Sequence, residues 1–231
     1  MVQFVRTFIK GFDEELDGGI PVGHLVLLSG SPGTLKSTLA YSILYNNVVK
    51  NKLSGAYVSL EQSAPSLIFH LTQAGFHPSQ AVKDRVQILD LSRIRKEVGA
   101  DPKKDWLDVL KSYLEFLVKE NNYDILIIDS LPVLEIMAKM KDRRTELFYF
   151  FEWMRDLGVT SFVITETSTE GTGSSEEEFL ADGIVSLSMK VVGDVDVHRR
   201  IRCVKLRGCH HNMCYFSLEF RDGGFKIAPA I

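Results

Sequence analysis

The sequence predicts an α/β fold: a mainly parallel sheet flanked by helices, continued toward its C-terminal end by antiparallel strands. Three observations predict it. Between residues 25 and 165, short apolar runs alternate with segments of helical period, the pattern of parallel strands joined by right-handed crossovers. A loop carrying Gly30, Pro32 and Gly33 joins the first of these runs to a helix opening near Lys36. From Gly183 onward, strand-like runs follow one another with no helical segment between them. No low-complexity linker or internal repeat divides the chain, so residues 1–231 read as one domain. With 45% hydrophobic residues it is long enough to bury a sizeable core.

Residues 1–10 alternate apolar and polar side chains enough for a short edge strand. Residues 11–23 are turn-rich, punctuated by Gly18, Gly19, Pro21 and Gly23. Residues 25–28, Leu-Val-Leu-Leu, read as a buried strand, and Leu39, Ile43, Leu44 and Val48 then mark one apolar helical face. Gly55 precedes a strand at 56–60. Ser63-Ala64-Pro65 opens a helix, with Pro65 tolerated in the first turn. In that helix Leu67, Ile68, Leu71 and Ala74 are expected to face inward, and Gly75 and Pro78 close it. Residues 86–91 read as a third strand and 92–105 as a polar loop with some helix. Trp106, Leu107, Leu110, Leu114 and Leu117 give helical spacing over 106–121. The run Asp-Ile-Leu-Ile-Ile-Asp at 124–129 is the kind of strand buried on both faces. A helix over 145–157 places Leu147, Phe148, Phe151 and Met154 inward, and 161–165 is another buried strand. Strands follow at 183–192, 198–206, 214–220 and 225–227, with Asp222-Gly223-Gly224 as a hairpin turn.

Residues 25–38 carry the strongest chemical signal. Strand, Gly-rich loop, Lys-Ser and helix, in that order, form a phosphate-binding loop. Successive backbone N–H groups converge on phosphate oxygens, and the helix N-terminus adds its partial positive charge. Ser31, Pro32, Gly33, Thr34, Leu35, Lys36, Ser37 and Thr38 are the expected binding residues. Lys36 would reach the β/γ-phosphates and Ser37 would ligate Mg²⁺. One position departs from the pattern: Leu35 stands where glycine is usual. A leucine fits there if it is already helical with its side chain turned away, so Leu35 is expected to be helical. The bland alternative for the whole stretch is a Gly/Pro turn with no ligand.

Ligands in parallel α/β sheets sit beyond the carboxyl ends of the strands. Glu61-Gln62 follows one predicted strand, Asp129-Ser130 another and Glu166 a third, so three acids stand on the edge that holds the loop. Asp129 after four aliphatics supports Mg²⁺, and Glu61 is the candidate for polarising an attacking water. Each could instead cap a helix or pair with a cation.

Formal net charge is −3, which gives no general attraction to nucleic acid or anionic membrane. Residues 1–10 are too short and polar for a signal peptide, and no apolar run reaches the ~18–20 residues of a membrane span. Cys203, Cys209 and Cys214 are odd in number, which argues against a disulfide framework. A cytoplasmic protein is expected.

The chain resembles RecA-superfamily ATPases of the KaiC/RadA-like group, over nearly its whole length. The resemblance rests on Gly-Phe-Asp-Glu-Glu-Leu-Asp-Gly-Gly-Ile-Pro-Val-Gly at 11–23 and on the phosphate loop. It rests also on Tyr-Val-Ser-Leu-Glu-Gln at 57–62, Ile-Ile-Asp-Ser at 127–130, Leu-Ala-Asp-Gly-Ile at 180–184 and Lys-Leu-Arg-Gly at 205–208. It implies a RecA-like P-loop NTPase fold and a homo-oligomer, usually a hexameric ring, with ATP between subunits. It implies that Asp129 is the Walker B acid and that Glu61 serves catalysis, with Gln62 in place of a second acid. It also implies that Lys205 and Arg207 touch the neighbour's γ-phosphate and that His211 joins them at the nucleotide. A single copy is present, and Glu178 and Phe179 stand where the duplicated clock proteins carry phosphorylated hydroxyls, so no clock or autokinase role is carried over.

The expected function is a slowly hydrolysing, ring-forming conformational regulator that uses ATP and Mg²⁺. The alternatives are a nucleotide-sensing module without turnover and a recombinase paralogue acting on DNA. Lys139, Lys141, Arg143 and Arg144 lie after the Walker B strand, where recombinase relatives meet DNA. The acidic stretch 167–178 would repel phosphates, so a solvated basic face is preferred. Cys209, His210, His211 and Cys214 match no standard zinc spacing and read as part of the turn after the Lys-x-Arg strand. The alternative for Lys205 and Arg207 is a solvated strand face or a pairing with Glu219 on the next strand.

Overall fold

The computed structural model describes residues 3–98, 105–166, 176–193 and 195–230. Its centre is a nine-stranded sheet. In chain order the strands are β3 (Leu25–Gly30), β4 (Gly55–Ser59), β5 (Val86–Asp90), β6 (Ile125–Asp129), β7 (Thr160–Thr165), β8 (Gly183–Val192), β9 (Asp196–Leu206), β10 (Phe216–Arg221) and β11 (Gly224–Pro229). Their spatial order is β11-β10-β9-β8-β3-β7-β6-β4-β5. Strands β8, β3, β7, β6, β4 and β5 run parallel, and β9 to β11 continue the sheet antiparallel. The predicted fold class is the observed one.

Alternation along the strands divides the core. Val26, Leu28, Tyr57, Ile125, Ile127, Phe162 and Ile164 pack on one face with α1 (Lys36–Asn51), α2 (Ala64–Gln73) and α3 (Gln80–Arg85). Leu25, Leu27, Val58, Leu126, Ile128 and Val163 pack on the other with α5 (Trp106–Asn121), α6 (Leu131–Ala138) and α7 (Arg143–Asp156). A strand buried on both faces needs apolar residues at every position, which is why these runs are continuous. Asp105 Oδ1 accepts from Leu107 N at 2.8 Å and starts α5, and Asp142 caps α7 through Thr145 N. At the last hairpin Arg221 pairs with Gly224, and Asp222 and Gly223 have φ of 50° and 71°. Two successive positive φ values make a two-residue turn that matches the strand twist, so Gly224 belongs to β11 and not to the turn.

Several expectations are corrected. Residues 4 and 5 do form a strand, β1 (Phe4–Val5), but it pairs with β2 (Ile20–Pro21) in a separate two-stranded sheet. Ile68 is exposed, while Leu67 and Leu71 fill the inward face of α2. On α7 the buried aromatics are Phe150 and Phe151, and Phe148 faces out. Consecutive aromatics satisfy the helical period in either phase, and packing of α7 against β3 decides between them. α4 (Leu91–Val98) is the helix expected in the polar stretch that begins at 92, whereas α6, just after β6, was not expected. Glu219 pairs with Lys226 on β11 at 3.0 Å, not with Lys205 or Arg207. Among the described residues no helix is long and apolar enough to cross a membrane.

Candidate functional site

The loop after β3 is closed by its own polar groups. Thr34 Oγ1 donates to Ser31 O at 2.8 Å, and Gly33 turns the chain with φ 83°. A Cβ on Gly30 would lie 2.4 Å from Leu187 O, so glycine is required where β8 passes. Leu35 precedes α1 with φ 72° and ψ 30°, and its carbonyl accepts from Leu39 N at 2.8 Å. It is therefore left-handed, not helical as expected, and its side chain packs partly buried against the core. The conformation is the one glycine would adopt freely, so the leucine reproduces the loop at a backbone cost. The first N–H groups of α1 have no intrahelical acceptor and point out of the loop with the positive end of the helix.

Lys36 Nζ donates to Gly30 O at 2.6 Å and Ser31 O at 3.1 Å, curled across the loop it follows. Burial pushes the ammonium pKa down, against the opposing charges of Glu166, Asp129 and Glu61. Register brings those acids together. Ser59 pairs with Asp129 and Ser29 with Thr165, so the ends of β4, β6, β3 and β7 are level. Lys36, Ser37, Thr38, Glu61, Asp129 and Glu166, with Pro32, Gly33 and Leu35, then line one cavity of 280 Å³. Asp129 is buried and accepts a hydrogen bond from the Tyr57 phenol, and burial pushes its carboxyl up in spite of the bonds from Tyr57 and Ser37. The Ser130 hydroxyl donates to Glu61 Oε1. Arg199 on β9 donates from Nε to Gly33 O at 3.1 Å. A larger cavity of 630 Å³ runs along edge strand β5, but no loop residue lines it.

The remaining candidates are not brought to this cavity. Val26 pairs with Gly183, and Gly183 with Leu206, whereas Gly30 pairs with Leu187 and Leu187 with Ile201. Lys205 and Arg207 therefore stand at the Leu25 end of the sheet, opposite the chain's own loop. Lys205 Nζ donates to Glu178 O at 3.0 Å and Phe179 O at 3.2 Å, and Arg207 pairs with Asp182 at 3.0 Å. His211 lines a separate shallow cavity with Glu14, Glu15 and Asp17. Cys203 is buried in the core, where burial pushes its thiol up to about 12, and Cys214 is exposed.

Tyr57, Ser130 and Arg199 carry no assigned role in the sequence analysis, and Arg143 and Glu177 carry different ones there. Tyr57 sits mid-strand among apolar residues, and only its hydroxyl marked it as more than core. Ser130 was visible as the residue after Asp129, but its reach to Glu61 depends on strand pairing. Arg143 is not part of a solvated basic face: Glu135 binds it at 2.8 and 3.0 Å and Glu177 at 2.8 Å. Glu177 is buried, so it is no exposed repelling charge, and residues 167–175 of that acidic stretch lie outside the described residues.

A family model described as "ATPase: KaiC" matches residues 5–230. A UPF0273 protein from Sulfurisphaera tokodaii is 31% identical over 96% of this chain and 81% of its own length. Circadian clock oscillator protein KaiC 1 from Synechocystis is 29% identical over 99% of this chain, which spans 44% of that protein. The crystal structure of a KaiC-like protein from Pyrococcus horikoshii superposes with a TM-score of 0.84 at 27% identity, covering 99% of this chain and 100% of that one.

Proposed function

The chain belongs to the KaiC family of RecA-superfamily ATPases, and on that premise we propose that it is a ring-forming ATPase, one domain per subunit, that hydrolyses ATP slowly and signals through conformation. The observation that carries this reading is a separation. Lys36, Ser37, Glu61 and Asp129 meet at one edge of the sheet, and Lys205 and Arg207 stand at the other. A second copy, stacked so that its β9 end meets the loop, supplies the missing cations.

The donor set suits Mg²⁺, a hard cation that takes oxygen ligands: the Ser37 hydroxyl and the buried Asp129 carboxylate stand together at the loop. Bound there, the ion would neutralise charge on the nucleotide's phosphates. Every other role belongs to the chain. The loop amides and the α1 N-terminus bind the phosphates, and Lys36 exchanges its carbonyl acceptors for phosphate oxygens. Tyr57 holds the Asp129 carboxylate in one orientation. Glu61, steadied by Ser130, accepts the proton of the attacking water. Lys205, Arg207 and His211 of an adjoining copy stabilise the charge that develops on the γ-phosphoryl group.

Turnover is measured for Arg207→Ala, for Glu61→Gln and for their mixtures, beside sizing with and without ATP. Each variant alone is expected to be inactive, the mixture active and the ATP-bound protein a ring. Inactive mixtures despite subunit exchange, or a monomer at high ATP, overturn the shared site. Tight ATP binding with no phosphate release makes the protein a nucleotide sensor, and stimulation by single-stranded DNA makes it a recombinase paralogue.

A further inference from the structure

A short helix, α8 (Glu176–Leu180), holds the cations that would serve the neighbouring site. Lys205 donates to Glu178 O and Phe179 O, Arg207 Nη2 donates to Phe179 O at 3.2 Å, and Arg155 donates to Leu180 O. The last carbonyls of a helix have no intrahelical donors, and cations satisfy them well. Three side chains thus take their positions from the C-terminal end of α8.

A helix barely longer than one turn has little stability of its own, so its place must come from tertiary contacts. Glu177 provides one. Its side chain is 3% exposed, with Oε2 2.8 Å from Arg143 Nη1 and Oε1 3.5 Å from Thr165 Oγ1. Arg143 is bound on its other side by both oxygens of Glu135. One guanidinium between two carboxylates, with a bidentate fork to one of them, has a defined geometry. The result is a continuous bridge from Glu135 on α6 through Arg143 on α7 to Glu177 on α8, and from α8 to Lys205 and Arg207. Neither Arg143 nor Glu177 lines the Lys36 cavity.

We propose that Arg143 and Glu177 are positioning residues for the site of the adjoining subunit: acting through α8, they hold Lys205 and Arg207 in the arrangement that meets a neighbour's γ-phosphate. The inference rests on the shared-site reading above. It assigns the effect of these residues to the subunit that lends the cations, not to the subunit whose loop holds the ATP.

Glu177→Gln keeps the shape and removes the charge. Turnover by Glu177→Gln rings is expected to fall on the order of tenfold, with nucleotide affinity and melting behaviour near wild type. Mixed with Glu61→Gln, the variant regains activity, because a site with a Glu177→Gln loop and a Glu61→Gln neighbour has every group intact. Random one-to-one rings contain roughly a quarter of such sites, which sets the expected recovery. Arg143→Met, at a half-exposed position, repeats the experiment if the Glu177 variant does not fold. Recovery with Arg207→Ala plus Glu61→Gln but none with Glu177→Gln plus Glu61→Gln overturns this inference alone. Failure of both mixtures removes the shared site and the inference with it. Wild-type turnover by both Glu177→Gln and Arg143→Met also overturns it, reducing the bridge to a staple.

Discussion

Tyr57 and Asp129 meet inside the site, the phenol donating to Asp129 Oδ2 with both residues buried. Burial raises the Asp129 carboxyl above its ordinary value of 3.8, the bonds from Tyr57 and Ser37 oppose the rise, and the Glu61 charge adds to it. A carboxyl raised by folding contributes stability that is full below its unfolded pKa and lost as pH rises through the folded one. Ionised Asp129 is therefore a cost to the free protein at neutral pH. Asp129→Asn removes the charge and still accepts the Tyr57 bond. The variant is expected to melt above wild type near pH 7, with the gain vanishing as pH falls toward the unfolded value, and to lose Mg²⁺-dependent turnover. Melting curves across that range check it, and a lower neutral melting point would show the charge to be stabilising.

Leu35 makes a prediction whose sign separates two conformations. In a helix, Leu35→Ala would be better tolerated than Leu35→Gly by about 1 kcal/mol. At φ 72° the order reverses, because glycine relieves a left-handed strain of ~1–2 kcal/mol that alanine retains. Both lose the partly buried leucine side chain, so Leu35→Gly is expected near wild type in stability and Leu35→Ala below both. Denaturant titration of the three proteins gives the order. Nucleotide binding survives in Leu35→Gly, because the loop backbone is unchanged.

How much was legible in the sequence follows from which forces are local. β3 and β6 were readable because a strand buried on both faces writes its environment into every residue, as Ile125–Asp129 does. Strand ends can then be aligned, which is why the sequence itself assigns Lys36, Ser37, Glu61, Asp129 and Glu166 to one edge. Leu35 was misread because propensity and motif both speak of the usual residue, and only the backbone dihedral shows that leucine takes glycine's conformation. α6 begins Leu131-Pro132, an opening that suits a first turn, but its eight residues are too few to write a clear helical period. The bridge through Arg143 was invisible: Glu135 lies eight residues before it and Glu177 far beyond, and folding alone brings them together.

Lys36 and Glu61 separate binding from chemistry. Lys36→Ala removes the point charge that a phosphate cluster needs in a partly buried site, and the loop keeps only its amides. ATP affinity is expected to fall by at least a hundredfold, on the order of 3 kcal/mol. Glu61→Gln keeps the contact with Ser130 but cannot take a proton, so it binds ATP as wild type does and loses turnover by ~10²-fold or more. Titration with a fluorescent nucleotide and a phosphate-release assay read the two effects. Unchanged affinity in the lysine variant would remove the phosphate-loop assignment, and lost affinity in Glu61→Gln would make that residue structural.

Asp182 ties the far edge of the sheet to itself and responds to acid in the opposite sense to Asp129. Its Oδ2 accepts from Arg155 Nε at 3.0 Å and Leu25 N at 3.1 Å, and its Oδ1 from Arg207 Nη1 at 3.0 Å. Burial alone would raise this carboxyl, but the bonds from Arg155, Leu25 and Arg207 outweigh burial and hold it below 3.8. A depressed carboxyl contributes stability that is present above its unfolded pKa and lost as pH falls through the folded one. Asp182→Ala also leaves Arg155 and the Leu25 amide without their shared acceptor, a loss of ~2–3 kcal/mol at neutral pH. Arg207 stays bonded to Phe179 O after the substitution but loses the partner that fixes its second nitrogen, so turnover should fall further than stability alone explains. Melting temperature and turnover are measured together from neutral pH down into the acid range. The stability gap between wild type and variant is expected to close in acid. If it stayed constant down to the acid transition, the Asp182 contribution would be packing rather than charge.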